Sequence, residues 1–498
     1  MAGDDITVHV EWLARRLRQQ QEDAAATEQH RITVTTHRVS RVPVQVRDKN
    51  PDAYTPGLVA IGPLHARAAE RGLQQGNRLK MAYLNSLISR GHPDPADHLA
   101  VIQSYIRLVA AREQEARAMY ASEDVDDITA DDFIQMLVLD GCFVIEHLVN
   151  VFIGLEEPSL HAMPFGPAQL SVDLILAENQ VPFFVLVDLI KSTRLPEFNS
   201  TGYDPPVLLM KLVLFYLAGE KGRDMSEGLP NADGVSHMLH LLHAMVTAAR
   251  TRWEPPPRIK DTAVLVMAQE VARLLWRLSL LLLVPFLYPT LRGERRWSAR
   301  YLRDDLPSAS DLKRMWVLFE KARGGRSNKA AAGIASVLGP VPLAVKLTHE
   351  ELRLPQLRIE FRTAPLLLNL MAFEQWAGDV SAYACLMAKM VQSAEDAGVL
   401  VAAEVVQSST AGSESKENVA RLFRQVGTAS DAAGELEKSY LGEMLGKLWE
   451  RSRHPIFRMW ADVQRNYFNE PWAIVAEIVA FVTFVFNILQ IYASFKHK

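Results

Sequence analysis

The chain has 498 residues, 49% hydrophobic and 22% charged, with a formal net charge of -4. That balance excludes a disordered chain and supplies a core for one large domain or two to three ordinary ones. It gives no basic excess of the kind a phosphate backbone requires, so nucleic acid is not an expected partner. The cysteines are Cys142 and Cys385, too few and too far apart for a disulfide framework or a zinc knuckle.

The first 25 residues carry Asp4, Asp5, Glu11, Glu22 and Asp23 and hold no apolar stretch of signal-peptide length. The bulk of the chain is therefore expected on the cytosolic side of whatever membrane it meets. Over 1–30 the spacing predicts an amphipathic helix, with Val10, Leu13 and Leu17 on one face and Arg15, Arg16 and Arg18 on its polar side. From 31 to 470 helical periodicity dominates, which predicts one large soluble helical domain with a few short strands.

Within that domain, Leu99 to Tyr120 reads as a long amphipathic helix. Thr129 followed by Asp132 resembles a capping box, and the run from Phe133 to Asn150 is apolar on most faces, which predicts a buried helix. Val172 to Lys191 is also apolar but is interrupted by Glu178, Asn179 and Gln180 just before Pro182. Proline removes a donor and crowds the carbonyl four residues earlier, so a kink or break is expected there, with the three polar side chains satisfying the freed backbone groups.

Val264 to Leu291 contains LSLLLLVPFLYPTL, which is too short for a membrane span and is broken by Pro285 and Pro289, so it reads as core, and Gly324 to Lys329 reads as a basic loop. Alternation around Leu357, Ile359 and Phe361 predicts a strand within Leu352–Phe361. Asn369–Ala397 and Val419–Arg465 return to helix.

The chain ends in a run of 23 residues, Ala473 to Phe495, in which only Glu477 is charged, followed by Lys496, His497 and Lys498. A bilayer core about 30 Å thick takes about 20 apolar residues, so 471–495 is predicted to be a single transmembrane helix, with 496–498 a short basic tail. Trp472 and Tyr492 stand near its two ends, where amphipathic rings favour the interface. At 100° per residue Ala473, Ala476, Ala480, Thr483, Asn487, Gln490 and Ser494 share a sector of about 100°. Small residues let helix backbones approach and amides bond across the contact, so this stripe is a candidate association face, for a protein partner or a second copy of the chain.

Chemistry is sparse. The sequence contains no phosphate-cradling Gly-rich loop with lysine, no dinucleotide fingerprint, no nucleophile elbow and no zinc-protease pair. His237, His240 and His243 spread over about 120° of a helix and lack an acidic or cysteine partner at ligand spacing, so no metal site and no cofactor are expected. Cys142 and His147 fall about 140° apart on a helix and cannot pair, and apolar surroundings suppress a thiolate.

Several segments together resemble a known family. HRVSRVPVQVRDKNPDAYTPGLVAIGPLH (His37 to His65), DDFIQMLVLDGCFVIEHL, ENQVPFFVL, PSASDLKRMWVLF from Pro307, LLLNLMAFEQ from Leu366 and the terminal PWAIVAEIVAF are similar, in order, to the successive blocks of the plant domain of unknown function 247. The chain departs from that pattern at AENQ, where the family commonly has two leucines before ENQ, at MWVLF, and in an expanded Gly324–Pro342. The resemblance implies a mainly helical plant protein with one C-terminal transmembrane segment and no established activity; some grass members are associated with self-incompatibility between pollen and stigma. The expected function is a membrane-tethered recognition or signalling component. The competing expectation is an enzyme whose site is built on the turn Gly62–His65, Asp140 or the Glu178–Gln180 cluster.

Overall fold

A computed structural model gives the fold and describes residues 39–66, 73–223, 225, 229–251, 306–322, 334–338, 342–348, 351–408, 412–429, 438–453 and 483. The predicted helix over 1–30, the apolar stretch 264–291, the loop 324–329, the chain beyond 453 and the whole predicted span except Thr483 lie outside the described residues. What is described is mainly helical, with short strands between Leu318 and Ser408. By backbone contacts the chain divides into two compact units, Met1–Ala248 with Ala331–Ser336 and Phe361–Trp376, and Ala249–Ala330 with Val337–Glu360 and Ala377–Lys498.

The longer helices of the first unit are α1 (Gln74–Gly91), α2 (Pro95–Ala110), α3 (Ala130–Ile153), α4 (Gly166–Asp173), α5 (Phe183–Ser192), α6 (Pro205–Ala218) and α7 (Met238–Thr251). Helix α3 organises them, packing against α1, α2, α5 and α6. Thr129 caps it by accepting the Asp132 N–H at 3.2 Å, and Asp131 and Asp132 favour the positive end of the helix dipole. Gly154, at φ 72°, closes the other end, and the Leu155 N–H reaches back to the Asn150 carbonyl at 2.8 Å. Every residue from Asp140 to Asn150 is buried, which is what a helix apolar on most faces requires.

Length and composition alone would also let α3 cross a membrane, and it is the only such helix among the described residues. Its most apolar stretch is 72% buried inside the protein, the signature of a core helix. The ion pairs of its polar residues with α1 fit the same reading: Asp140 meets Lys80, and Glu146 takes a bidentate contact from Arg90, at 2.6 Å from Nη2 and 3.1 Å from Nε.

The helix expected over Leu99–Tyr120 is shorter than its pattern. It stops at Ala110, and a separate turn of helix spans Glu113–Arg117. Arg112 leaves helical geometry because α5 holds it: its guanidinium donates to Asp188 at 2.8 Å and lies 3.9 Å from the centre of the Phe184 ring. At Pro182 the chain breaks fully. Helix α4 ends at Asp173, residues 174–182 are irregular, and Pro182 stands at the N-cap of α5.

The second unit is built from α8 (Ala309–Arg314), β1 (Leu318–Lys321), β2 (Lys346–Thr348), β3 (Glu351–Leu354) and β4 (Leu357–Ile359). After α9 (Thr363–Phe373), which belongs to the first unit, it continues with α10 (Asp379–Met390), α11 (Ala394–Ala402), β5 (Val406–Ser408), α12 (Ser413–Ala429) and α13 (Gly442–Arg453). The predicted strand Leu352–Phe361 is two strands parted at Pro355 and Gln356: β3 pairs parallel with β1 and antiparallel with β2, whereas β4 pairs parallel with β5. The helix expected over Asn369–Ala397 is likewise divided. Helix α10 stops at Met390, and α11 starts afresh at a capping box of Ser393 and Asp396.

If α3 is a core helix, truncating one of its fully buried side chains leaves a cavity. Leu148→Ala is expected to lower stability by about 3 kcal/mol, and Val151→Ala, at a half-exposed position of the same helix, by less than about 1 kcal/mol. Urea denaturation followed by circular dichroism distinguishes the two.

Candidate functional site

The segment from Val39 to His65 contains only one short helical turn (Val44–Arg47) and two 3-10 turns, yet Tyr54, Val59, Ile61 and Leu64 in it are buried. Irregular backbone taken out of water must find hydrogen-bond partners. Here side chains of the helical body supply them. The Asp173 carboxylate, at the end of α4, accepts the N–H groups of Gly57, Leu58 and Val59 at 2.9, 2.7 and 2.7 Å. Glu178 accepts Val42 N–H at 2.7 Å, Asn179 accepts Ile61 N–H at 2.6 Å, and Asp140 of α3 accepts Gly62 N–H at 2.8 Å. Asn369 of α9 donates to the Ala53 carbonyl and accepts the Ala177 N–H, each at 2.7 Å.

The cluster Glu178, Asn179 and Gln180 sits in the break between α4 and α5, fully buried. Asn179 Nδ2 donates to the carbonyls of Asp173 and Val59 at 2.9 and 3.0 Å. Gln180 Nε2 donates to those of Leu174 and Leu176 at 3.0 and 2.9 Å, and its Oε1 accepts the Leu239 N–H of α7 at 3.1 Å. The amides thus serve both the carbonyls freed by the break and the backbone of the neighbouring segments. Gly62, at φ 72°, fits because a Cβ there would lie 2.5 Å from the Gln180 carbonyl oxygen.

Structure therefore brings together the turn Gly62–His65, Asp140 and Glu178–Gln180, which sequence could only name separately. Arg47 pairs with Glu178, Lys80 pairs with Asp140, and His65 Nε2 stands 3.4 Å from Glu178 Oε2. Burial pushes the Asp140 and Asp173 carboxyls up from the usual carboxylate range, against the pull of Lys80 and Gly62 on the first and of backbone N–H groups on the second. Burial, then the charges of Arg41 and Arg47, push His65 down to about 4, so its imidazole is neutral at pH 7. The acceptors of Asp173, Asn179 and Gln180 are occupied by backbone. What this arrangement does chemically is hold Val39–His65 in place.

The other sequence candidates separate. His237 accepts the His240 N–H at Nδ1 and so caps the start of α7, while His240 Nδ1 reaches back to accept the N–H of Ser236, which precedes the helix. His243 instead meets Glu374 at 2.7 Å. Among the described residues no three His, Cys, Asp or Glu side chains are placed to hold a metal ion. Cys142 is buried and burial alone raises its thiol, while His147 lies among the rings of Tyr83, Phe143 and Tyr216 and is pushed down to about 4, first by burial.

Asp173 and Asn369 went unnoticed in the sequence, although each is a polar residue inside an apolar run, SVDLIL and LLLNLM. That interruption was the available signal: a side chain so placed is buried and must be hydrogen-bonded.

Asp173→Asn keeps the shape but removes the charge that three N–H groups share, so stability is expected to fall by about 2 kcal/mol, with faster amide exchange at Gly57, Leu58 and Val59. The histidines carry a pH signature. His147 titrates near 4 when folded and near 6.5 when unfolded. The unfolded chain binds the extra proton between those values, so the stabilisation is complete above 6.5 and is lost as pH falls towards 4. The stability difference between the native chain and His147→Phe should therefore shrink in that window by up to about 1.4 kcal/mol per pH unit, as read by denaturation at successive pH values.

Comparison with known proteins agrees with the block pattern. The chain is 23% identical over 459 residues to a UPF0481 protein of Arabidopsis thaliana, covering 91% of this chain and 85% of that protein. It is 25% identical over 162 residues to a second UPF0481 protein of the same plant, covering 32% of this chain and 28% of that one. No solved structure matches. Residues 39–486 match the family described as plant protein of unknown function, DUF247, and because that match runs from the buried Val39 segment through both units, the chain belongs to this family.

Proposed function

We propose that the chain is a membrane-tethered recognition or signalling component, whose helical body faces the cytosol and presents a surface to a protein partner. The observation that carries this reading is the apolar run Ala473–Phe495, 23 residues with one charge, whereas α3, the only helix among the described residues long and apolar enough to cross a membrane, is mostly buried inside the protein. The polar cluster under Val39–His65 supports a structural role for Asp173, Asn179 and Gln180, whose side chains bond the backbone of neighbouring segments.

In this reading the stripe Ala473, Ala476, Ala480, Thr483, Asn487, Gln490 and Ser494 is the side of the tail that meets another helix, from a partner or a second copy, while Val475, Val482, Phe486 and Leu489 face lipid. Two measurements check it. The full chain should stay with membranes after alkaline carbonate extraction, and a chain ending at Asn469 should be released. In a membrane two-hybrid assay Asn487→Leu with Gln490→Leu should weaken association, since each interhelical amide contact contributes about 1 kcal/mol. Equal extraction of both chains would overturn the tether, and unchanged association would leave the tail a plain anchor.

A further inference from the structure

Phe165 stands in the turn between a short helical stretch, Pro158–His161, and α4, and it is 85% exposed, more than any other large apolar side chain among the described residues. A single exposed apolar residue is ordinary by itself. This one also has a left-handed backbone, at φ 59° and ψ 13°, a region that is costly for a residue with a Cβ and is favoured by Gly and Asn. It supplies no side-chain cap to α4 either. Exposure and backbone cost thus fall on the same residue, and an Asn there would lessen both.

The turn is nonetheless fixed. Met163 N–H donates to the Leu160 carbonyl at 3.2 Å, Gly166 N–H to that of Met163 at 3.0 Å, and Gln169 N–H to that of Phe165 at 2.8 Å. Gly166 packs so closely that a Cβ on it would lie 2.3 Å from the Leu160 carbonyl oxygen. Backbone held by its surroundings in an unfavourable region points to a functional demand at that position.

The neighbours of the ring say what it meets. Residues 158–172 contain no Asp, Glu, Lys or Arg, and Ala162, Pro164 and Phe165 are exposed, with Met163 half-buried among them. A protein interface surrounds its apolar centre with a polar rim that includes charged groups, which this stretch of chain does not supply. A bilayer surface asks for the opposite: apolar and aromatic side chains on a segment without charge, seated at headgroup level. The charges that lead into the stretch are Glu156 and Glu157, which an anionic bilayer would repel and a zwitterionic one would not.

We propose that the turn 162–165 dips into the surface of a zwitterionic bilayer, with the Phe165 ring at the level of the headgroups. This contact rests on the tethering reading for the nearness of that bilayer, because a second contact made by an already tethered chain forms at high effective concentration.

The test places the full chain in phosphatidylcholine vesicles and attaches the environment-sensitive dye NBD at Ala162→Cys, an exposed position that leaves Phe165 intact. The native chain, whose Cys142 and Cys385 are buried, gives the blank. Val482→Cys carries the dye on the tail, and Gln103→Cys carries it at an exposed position of α2. Lipid with a doxyl group near its headgroup should quench the dye at 162 about twofold more than the dye at 103. Phe165→Asn should abolish that difference while raising the urea midpoint of the chain in non-ionic detergent, since it relieves the left-handed backbone, and Phe165→Trp should keep the difference. Adding phosphatidylserine to the vesicles should weaken the quenching at 162.

The proposal is overturned if the dye at 162 is quenched no more than the dye at 103, or if Phe165→Asn leaves the difference unchanged. With the first of these results, quenching at 482 shows that the tether holds and the turn alone fails, and no quenching at 482 shows that the tethering reading fails as well. Blue-shifted emission at 162 without quenching means that protein, such as a second copy of the chain, covers the turn, and it also overturns the proposal.

Discussion

Burying irregular backbone is the constraint on which the first unit depends. The chain from Val39 to His65 makes no ladder of its own, and its N–H groups at Val42, Gly57, Leu58, Val59, Ile61 and Gly62 are taken by side chains of the helical body. Buried donors left unmade cost about 1–3 kcal/mol each, so these contacts together decide whether the segment lies on the body at all. The same constraint explains why carboxylates are used. An ionised oxygen accepts several N–H groups at once, and Asp173 serves three consecutive residues that no neutral side chain of its size could serve as well.

Those acceptors need fixed positions, and two features of the helical body provide them. The break at Pro182 exposes carbonyls that Asn179 and Gln180 turn back and satisfy, which locks the 174–182 turn and with it Glu178. Helix α3 carries Asp140 and Glu146 through the interior and meets each with a cation from α1. Removing either partner of such a pair would strand a buried charge, which is more damaging than losing a surface ion pair. Hydropathy alone could not tell this helix from a membrane span. Its buried polar residues agree with a core helix, because Asp140, Glu146 and Asn150 meet partners from α1 and His147 lies among buried rings.

Sequence reading succeeded where the determining contacts are local. Thr129 caps α3 because its hydroxyl meets an N–H three residues on, and the break at Pro182 follows from a missing donor. It failed where a distant residue overrides the local pattern: Arg112, drawn to Asp188 and Phe184, cuts short a helix whose periodicity runs on. Proline at 355 splits one apparent strand into two that join different partners, a choice the alternation of Leu357 and Ile359 could not contain.

The mainly helical class, the buried character of Phe133–Asn150, the terminal apolar run and membership of the plant family were all carried by the sequence, since periodicity, composition and ordered blocks are properties of neighbours along the chain. The joining of Gly62 to Asp140 across 78 positions, of Ala53 to Asn369 across 316, and the pairing of Arg90 with Glu146 were decided by tertiary structure alone. Pairings of irregular backbone with distant side chains have no period, and nothing in the order of residues marks which of many acidic or amide side chains will lie within 3 Å of a given N–H once the chain has folded.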